Sequence, residues 1–266
     1  MSQKECQFEE IFADTSYGRM RALIYRSEEK QATTYFLLHG LLCSGTYMEP
    51  TAKELVPHNT VCIPDMLGYG KSETPEHALD IEEHAASLAE LIEAAGLNKP
   101  VLVGGSYGCN IAAELASQLA SNPKHNVQAL VLIGPADIRG KSIQELLGNL
   151  AQDGLHEPPV MVTSVIGDVA RIGIDRCLKQ LDHMSKHNLD IALLNCGVPI
   201  LLIKGELDKL SSEEMVQEKF LMVPNCQAVN VIGSAHCLSV SDPVLIAEML
   251  QDFVEQGDLN DVYRAA

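Results

Sequence analysis

The sequence contains no tryptophan, and only 5% of its 266 residues are aromatic. Basic residues are also few, because 19 Lys and Arg stand against 36 Asp and Glu, a formal net charge of −17. An acidic surface repels phosphate groups and anionic lipid heads, and a stacking platform for nucleobases needs aromatic side chains. We therefore expect no nucleic acid partner and no polybasic membrane docking, which leaves small neutral or amphiphilic molecules as ligands.

Long hydrophobic runs are missing as well. No window approaches the run of about 18 apolar residues that a membrane-spanning helix needs. The first 16 residues carry acids where a signal peptide has its apolar region. These features predict a protein without a membrane span and with a cytoplasmic location.

The eight cysteines form no C-x-x-C pair, and several lie in apolar runs. This pattern favours buried thiols in a reducing compartment over a disulfide framework or a zinc site. The sequence also lacks an H-E-x-x-H motif and clustered His and Asp spacings. We therefore expect neither a metal nor any other cofactor.

Short apolar runs bounded by Gly, Pro or Asp predict eight β-strands. Continuous runs of this kind are typical of strands that are buried on both faces of a parallel sheet. The predicted ranges are Phe8–Ala13, Met20–Arg26, 33–40, Asn59–Asp65, Val101–Ser106, Val127–Ile133, Val198–Lys204 and Ala228–Ile232.

Helical patterns fill most of the intervals between these runs. Asp80 and Glu83 form a possible capping box for a helix that reaches Gly96. Further helices are predicted over Tyr107–Asn122 and Pro243–Gln256. Strand and helix alternate in the order of right-handed crossovers, which predicts an α/β fold with a mostly parallel, doubly wound central sheet.

One interval is too long for a simple crossover helix. About sixty residues separate the strand ending near Ile133 from the strand that begins at Val198. They contain helical patterns at Ser142–Gln152, Val160–Ile172 and Ile174–His187. We interpret the segment as a helical cap inserted after the sixth core strand. The predicted domains are thus a core of residues 1–136 and 197–266 and a cap of residues 137–196, with ordinary helices on a sheet edge as the alternative.

The predicted cap offers candidates for substrate contacts. Three arginines, Arg139, Arg171 and Arg176, are candidates for anchoring a carboxylate, although arginines on amphipathic helices are usually solvated. The apolar candidates for lining a pocket are Leu146, Leu147, Leu150, Val162, Val165, Ile166, Val169 and Ile172. For these, packing of the cap onto the core is the competing interpretation.

Residues 104–108, Gly-Gly-Ser-Tyr-Gly, fit the pattern G-x-S-x-G. Ser106 lies at the end of a predicted strand and directly before a predicted helix, which is the placement that a nucleophile elbow requires. The start of that helix offers amide hydrogens to a developing oxyanion. We therefore predict Ser106 as a nucleophile, and we interpret Cys109, one helical turn further on, as a packing residue.

A serine hydroxyl is a poor nucleophile unless a base and an orienting acid activate it. His236, just after the last predicted strand, is the best candidate for the base. Asp208, which follows a buried strand, is the best candidate for the acid, with Glu206 and Asp137 as open alternatives. Other histidines in polar segments are interpreted as surface or capping residues: His77, His84, His125, His156, His183 and His187.

The order Ser106, Asp208, His236, with each residue on a loop after a strand, resembles that of the α/β-hydrolase fold superfamily. Residues 39–41, His-Gly-Leu, resemble the HG-x loop of this family. Residues 65–72, Asp-Met-Leu-Gly-Tyr-Gly-Lys-Ser, closely follow its D-x-x-G-x-G-x-S turn, which is structural. The resemblance covers essentially the whole chain outside the cap, and it implies that the backbone N–H groups of Leu41 and Tyr107 form an oxyanion hole.

The resemblance implies a serine hydrolase that cleaves a carboxylic ester, a thioester or a lactone through an acyl-enzyme on Ser106. His236 would be the general base, and Asp208 would orient its imidazole. Carbon–carbon bond hydrolases of the superfamily usually have Asn where this chain has Gly105, which disfavours that reaction without removing it as an alternative. A non-hydrolytic receptor for a small ligand on the same fold is the alternative from another functional class.

Overall fold

A computed structural model of the protein describes residues 8–120, 126–136 and 138–257. Its central sheet has eight strands in the order β1-β2-β4-β3-β5-β6-β7-β8. The strands are β1 (Glu9–Thr15), β2 (Gly18–Tyr25), β3 (Thr34–Leu38), β4 (Thr60–Pro64), β5 (Val101–Gly105), β6 (Ala129–Ile133), β7 (Ile200–Gly205) and β8 (Cys226–Val231).

The sheet is mostly parallel. Strand β2 pairs antiparallel with β1 and with β4, and all pairs from β4 to β8 are parallel. Strands β5, β6 and β7 are buried along their whole length, as their continuous apolar sequences predict. Separate apolar clusters cover the two faces of the sheet, so the predicted fold class is confirmed.

The helices lie on both faces of this sheet. They are α1 (Glu49–Leu55), α2 (Ile81–Ala94), α3 (Tyr107–Ala120), α4 (Ile143–Asp153), α5 (Pro159–Ile172), α6 (Ile174–Lys186), α7 (Leu189–Asn195), α8 (Glu213–Met222), α9 (Leu238–Ser241) and α10 (Pro243–Gln256). The predicted capping box is present, because the Asp80 carboxylate accepts from the Glu83 amide and the Glu83 carboxylate accepts from the Asp80 amide.

The sequence patterns did not reveal α1, α7, α8 and α9. These helices have ten residues or fewer, and such short segments show too few turns for a helical period to be recognised. Within the part of the chain that the structure describes, no helix is long and apolar enough to cross a membrane.

Helices α4 to α7 occupy the long interval between β6 and β7. Helix α7 packs against α3, and its buried residues Leu189, Ala192 and Leu193 belong to the same apolar cluster as α3. The carboxyl ends of β3, β5, β6, β7 and β8 meet at one edge of the sheet, because these strands are parallel. In such sheets, ligands bind outside this edge.

Candidate active site

Ser106 lies in a sharp turn between β5 and α3. Its φ of +54° is in the left-handed region that non-glycine residues rarely adopt. A Cβ atom on Gly104 would lie 2.4 Å from the carbonyl oxygen of Gly108, and one on Gly108 would lie 2.7 Å from that of His39. Glycine at both positions is therefore what allows the strained turn around Ser106 to form.

His236 and Asp208 form a buried pair. His236 Nδ1 lies 2.8 Å from Asp208 Oδ2. The other carboxylate oxygen of Asp208 accepts hydrogen bonds from the amides of Leu210 and Ser211 at 2.8 and 2.9 Å. Because the carboxylate can only accept, Nδ1 donates to it and Nε2 is left as the basic nitrogen.

The electrostatics of this pair favour its charged form. Burial opposes ionisation of Asp208, but the imidazole of His236 and the two amides outweigh it and hold the pKa of the carboxyl below its ordinary value. Burial also opposes protonation of His236, but the Asp208 carboxylate outweighs it and raises the pKa of the imidazole. The pair is therefore suited to stabilise an imidazolium at the moment when a proton arrives at Nε2.

The end of β6 connects the serine turn to this pair. The Ser106 amide donates to the carbonyl oxygen of Ile133 at 2.9 Å. A Cβ atom on the next residue, Gly134, would lie 3.0 Å from His236 Nδ1 and 3.3 Å from Asp208 Oδ2. His236 Nε2 is buried and has no hydrogen-bond partner among the described residues. The structure thus brings the three predicted residues to the same strand end, without a hydrogen bond between Ser106 and His236.

The loop after β3 passes beside Ser106. A Cβ atom on Gly40 would lie 3.4 Å from the Cβ atom of Ser106. His39 holds this loop, since its Nδ1 lies 2.8 Å from the carbonyl oxygen of Gly40 and its Nε2 accepts from the Met66 amide at 3.1 Å. Burial lowers the pKa of His39, so its imidazole stays neutral. A neutral ring can donate through Nδ1 while it accepts through Nε2. Leu41 follows directly, and Tyr107 is the first residue of α3.

Three acidic residues between β6 and β7 contact the loops of the site, and we call them the loop-binding carboxylates: Asp153, Glu157 and Asp168. Asp153 accepts from the Lys209 amide at 3.0 Å, and Glu157 accepts from the Cys237 amide at 2.8 Å. Lys209 and Cys237 are the residues that follow Asp208 and His236. Asp168 accepts from the amide and the hydroxyl of Ser44, in the loop after Leu41.

Other predicted candidates lie elsewhere. Glu206 is exposed, and its carboxylate accepts from the Gly233 amide at 2.9 Å. Asp137 and His125 lie outside the described residues. Cys109 is buried, and its thiol contacts the carbonyl oxygens of Gly104 and Ile133. These positions suit Cys109 as a packing residue and leave Asp208, not Glu206, as the partner of His236.

The interpretation of His84 as a surface or capping residue was wrong, whereas His187 is the C-cap residue of α6. His84 is fully buried, and its Nε2 lies 3.3 Å from Gln180 Nε2. His187 is also buried, between Asn110 and Glu114 of α3. In both cases the covering residues come from other helices, which a pattern along one helix does not show.

The apolar candidates of the predicted cap divide between the core and the surface. Leu146 is buried in the core cluster, and Leu150 and Ile172 pack against it. Ile166 is 66% exposed, so it lines no buried pocket. The side chains of Leu147 and Val162 lie outside the described part of the structure.

One group of side chains could hold a metal ion among the described residues. One ligand atom from each of Asp153, Asp208 and His236 lies within 4.8 Å of the others. The shared hydrogen bond between His236 Nδ1 and Asp208 Oδ2 fits proton transfer better, because a metal bound between these two atoms would have to displace that proton.

A mostly parallel eight-stranded sheet with a serine elbow after β5 defines the α/β-hydrolase fold. The family model described as alpha/beta hydrolase fold matches residues 36–158. The chain is 24% identical over 249 residues to the pimeloyl-[acyl-carrier protein] methyl ester esterase of Yersinia enterocolitica, with 84% of this chain and 93% of that protein covered.

Solved structures show the same fold. A bacterial membrane phospholipase A aligns with a TM-score of 0.77 at 20% identity, covering 94% of this chain and 86% of its own. A carboxylesterase from Bacillus subtilis aligns with a TM-score of 0.75 at 21% identity, covering 96% and 94%. The chain therefore has the α/β-hydrolase fold.

Proposed function

We propose that the protein is a serine hydrolase that cleaves a carboxylic ester, a thioester or a lactone. The observation that carries this proposal is the buried His236–Asp208 pair, with Nε2 unpartnered, at the strand end that also holds the strained Ser106. Relatives whose names describe ester cleavage, such as the Yersinia methyl ester esterase, support the choice of an ester over other bonds.

In the proposed reaction, His236 Nε2 removes the proton of the Ser106 hydroxyl as its oxygen attacks the substrate carbonyl. Asp208 holds the imidazole in the required tautomer and stabilises its positive charge. The amides of Leu41 and Tyr107 donate to the oxyanion, and the loss of one such donor typically costs about 3–4 kcal/mol. The imidazolium then protonates the leaving alcohol or thiol, and water activated by His236 hydrolyses the acyl-enzyme.

Residues 137–196 form the cap in this proposal, since the loop-binding carboxylates connect helices α4 and α5 to the loops of the site. The substrate is a small molecule that enters between cap and core. A cytoplasmic location is part of the proposal as well, because the cysteines within the described ranges are free thiols.

Labelling with a fluorophosphonate probe tests the nucleophile. We expect stoichiometric modification of Ser106, located by mass spectrometry, and no modification of Ser106→Ala. Cys109→Ala is the matched control and should label like the wild type. A folded wild-type protein that stays unlabelled would refute the proposal and favour a ligand receptor.

The same variants identify which type of bond the protein cleaves. Esters, thioesters and lactones with equal acyl parts should be turned over by the wild type and by Cys109→Ala, and not by Ser106→Ala. Wild-type turnover in Ser106→Ala would exclude the acyl-enzyme mechanism.

A further inference from the structure

The candidate site contains buried hydrogen-bond acceptors that have no donor. Asp153 is only 3% exposed, and its Oδ1 accepts from the Lys209 amide while Oδ2 has no partner among the described residues. Glu157 is similar, because Oε1 accepts from the Cys237 amide and the buried Oε2 has no donor besides the neighbouring Cys237 thiol, which is a weak one. Buried polar atoms in native proteins are nearly always hydrogen-bonded, so Asp153 Oδ2 requires a donor from outside the described residues, and Glu157 Oε2 lacks a strong one.

These acceptors lie beside the proposed general base. A carboxylate oxygen of Asp153 is within 4.8 Å of ligand atoms of both His236 and Asp208. Glu157 binds the amide of the residue that follows His236. In the proposed mechanism, the leaving group takes its proton from His236 Nε2. The alcohol part of an ester substrate therefore lies against the same imidazole that Asp153 approaches.

Apart from the imidazole of His236, whose pKa these acids help to raise, no cation neutralises this region among the described residues. Neither Asp153 nor Glu157 forms an ion pair there, and the three arginines of the insertion are engaged elsewhere. Arg139 pairs with Asp190 at 3.1 Å. Arg176 donates to the carbonyl oxygens of Pro75 and His77. Arg171 is largely exposed, and its nearest carboxylate contact is Asp168 at 3.9 Å.

We propose that Asp153 and Glu157 determine specificity for the alcohol part of the substrate. They accept hydrogen bonds from a hydroxyl or ammonium group carried by that alcohol, and they repel a carboxylate or phosphate at the same place. The substrate is then an ester of a polyol or an amino alcohol and not an anionic ester. This inference rests on the proposed ester hydrolysis, and it adds the chemical class of the leaving group.

A set of four butyrate esters tests the inference. Their alcohols are 1-propanol, 1,3-propanediol, 3-(dimethylamino)propanol, which is protonated at neutral pH, and the anionic 3-hydroxypropanoate. For the wild type we expect kcat/KM to be about tenfold higher for the hydroxyl and ammonium esters than for propyl butyrate, and about tenfold lower for the carboxylate ester.

Two isosteric variants assign the effect to the side chains. Asp153→Asn and Glu157→Gln keep an acceptor oxygen and remove the charge. In these variants, kcat/KM for the ammonium and carboxylate esters should move toward that of propyl butyrate, while the hydroxyl ester keeps part of its advantage. Asp175→Asn is the matched control, because Asp175 is an exposed acid on α6. This variant should rank the four esters by kcat/KM in the same order as the wild type.

The outcomes separate the two proposals. Equal kcat/KM for the carboxylate and propyl esters in the wild type would overturn the specificity inference. The same holds if the order of kcat/KM among the four esters is unchanged in both Asp153→Asn and Glu157→Gln. Probe labelling of Ser106 without cleavage of the hydroxyl or ammonium ester would overturn it too. No cleavage together with no labelling of folded protein would instead refute the proposed function. If one of the two variants does not fold, the kcat/KM series of the wild type and of the other variant still tests the specificity inference.

Discussion

The phenol of Tyr107 donates a hydrogen bond to the side-chain carbonyl of Gln180. Tyr107 begins α3, directly after Ser106, and Gln180 lies on α6 in the insertion between β6 and β7. Gln180 also contacts His84 of α2, and all three side chains are buried. Helix α6 is thus attached to the residue whose amide is proposed to bind the oxyanion.

Replacement of Tyr107 by Phe should destabilise the protein more than it slows the reaction. The variant leaves the Gln180 carbonyl buried without a donor, so we expect the free energy of unfolding to fall by about 1–3 kcal/mol. The Tyr107 amide stays in place, and kcat should change little. Urea denaturation and ester kinetics measure the two effects.

The double variant Tyr107→Phe/Gln180→Leu is the control, since it removes both polar partners and should recover part of the stability. A Tyr107→Phe variant of wild-type stability would contradict the importance of this hydrogen bond.

The pH profile should report the Asp208 carboxylate. In the proposed mechanism, His236 acts as a base only when it is neutral, and Asp208 raises its pKa above the ordinary 6.5. The acid limb of kcat/KM should therefore have its midpoint above pH 6.5. In Asp208→Asn, burial dominates, so the midpoint should move to lower pH while kcat falls by about four orders of magnitude, the typical loss when the orienting acid of a catalytic triad becomes an amide. A midpoint that does not move would show that Asp208 has no influence on the base.

Gly134→Ala should disturb the His236–Asp208 pair. Its Cβ atom would lie 3.0 Å from His236 Nδ1, and the backbone φ of +60° adds strain of about 1–3 kcal/mol in unfolding free energy. We expect kcat to fall at least about tenfold, since a small misplacement of catalytic groups has large effects.

Gly140→Ala is the matched control. Gly140 has a φ of +74°, and a Cβ atom there meets nothing within 4 Å. Gly140→Ala should lower the free energy of unfolding through backbone strain and leave kcat unchanged. Equal kcat values for the two variants would contradict the prediction.

Asp65→Ala should lower stability strongly. The Asp65 carboxylate accepts from the amides of Gly45 and Lys71 at 2.8 and 2.9 Å and pairs with buried Arg21 at 3.2 Å. Removing one partner of a buried ion pair typically costs about 3–5 kcal/mol in the free energy of unfolding. The control Lys53→Ala breaks the exposed pair with Glu49 and should cost less than about 1 kcal/mol. Similar urea midpoints for both variants would exclude a structural role of the Asp65 turn.

His84 should make the protein sensitive to acid. Burial lowers its pKa from 6.5 to about 3, so below pH 6.5 the unfolded chain binds a proton that the folded protein does not. This group then removes stability as the pH falls, by about 1.4 kcal/mol per pH unit until its folded pKa is reached.

We expect His84→Gln to lose stability less steeply between about pH 6 and pH 4 in urea denaturation. His77→Gln is the control, because His77 is exposed and pairs with Glu83. A His84→Gln variant with the acid sensitivity of the wild type would contradict the neutral, buried imidazole.

The features that could be predicted depend on neighbours along the chain. The eight strands and the capping box of α2 follow from local patterns of apolar and capping residues. The loop-binding carboxylates could not be predicted, since an acid on or beside a helix usually faces solvent. Their partner amides lie 56, 80 and 124 residues away. The error at His84 has the same origin, because Gln180, which covers it, is 96 residues away.

The sequence by itself determined the order of the strands and the longer helices and the turn around Ser106, because these are set by propensities and spacings within a few residues. Only the tertiary structure decided which acid binds His236. Glu206 and Asp208 follow the same strand two residues apart, so their spacing does not distinguish them. The turn after β7 places Asp208 Oδ2 2.8 Å from His236 Nδ1, and it leaves Glu206 exposed with its carboxylate bound to the Gly233 amide. The loop that carries Gly233 and His236 follows β8, which is parallel to β7, so both loops lie at the same edge of the sheet.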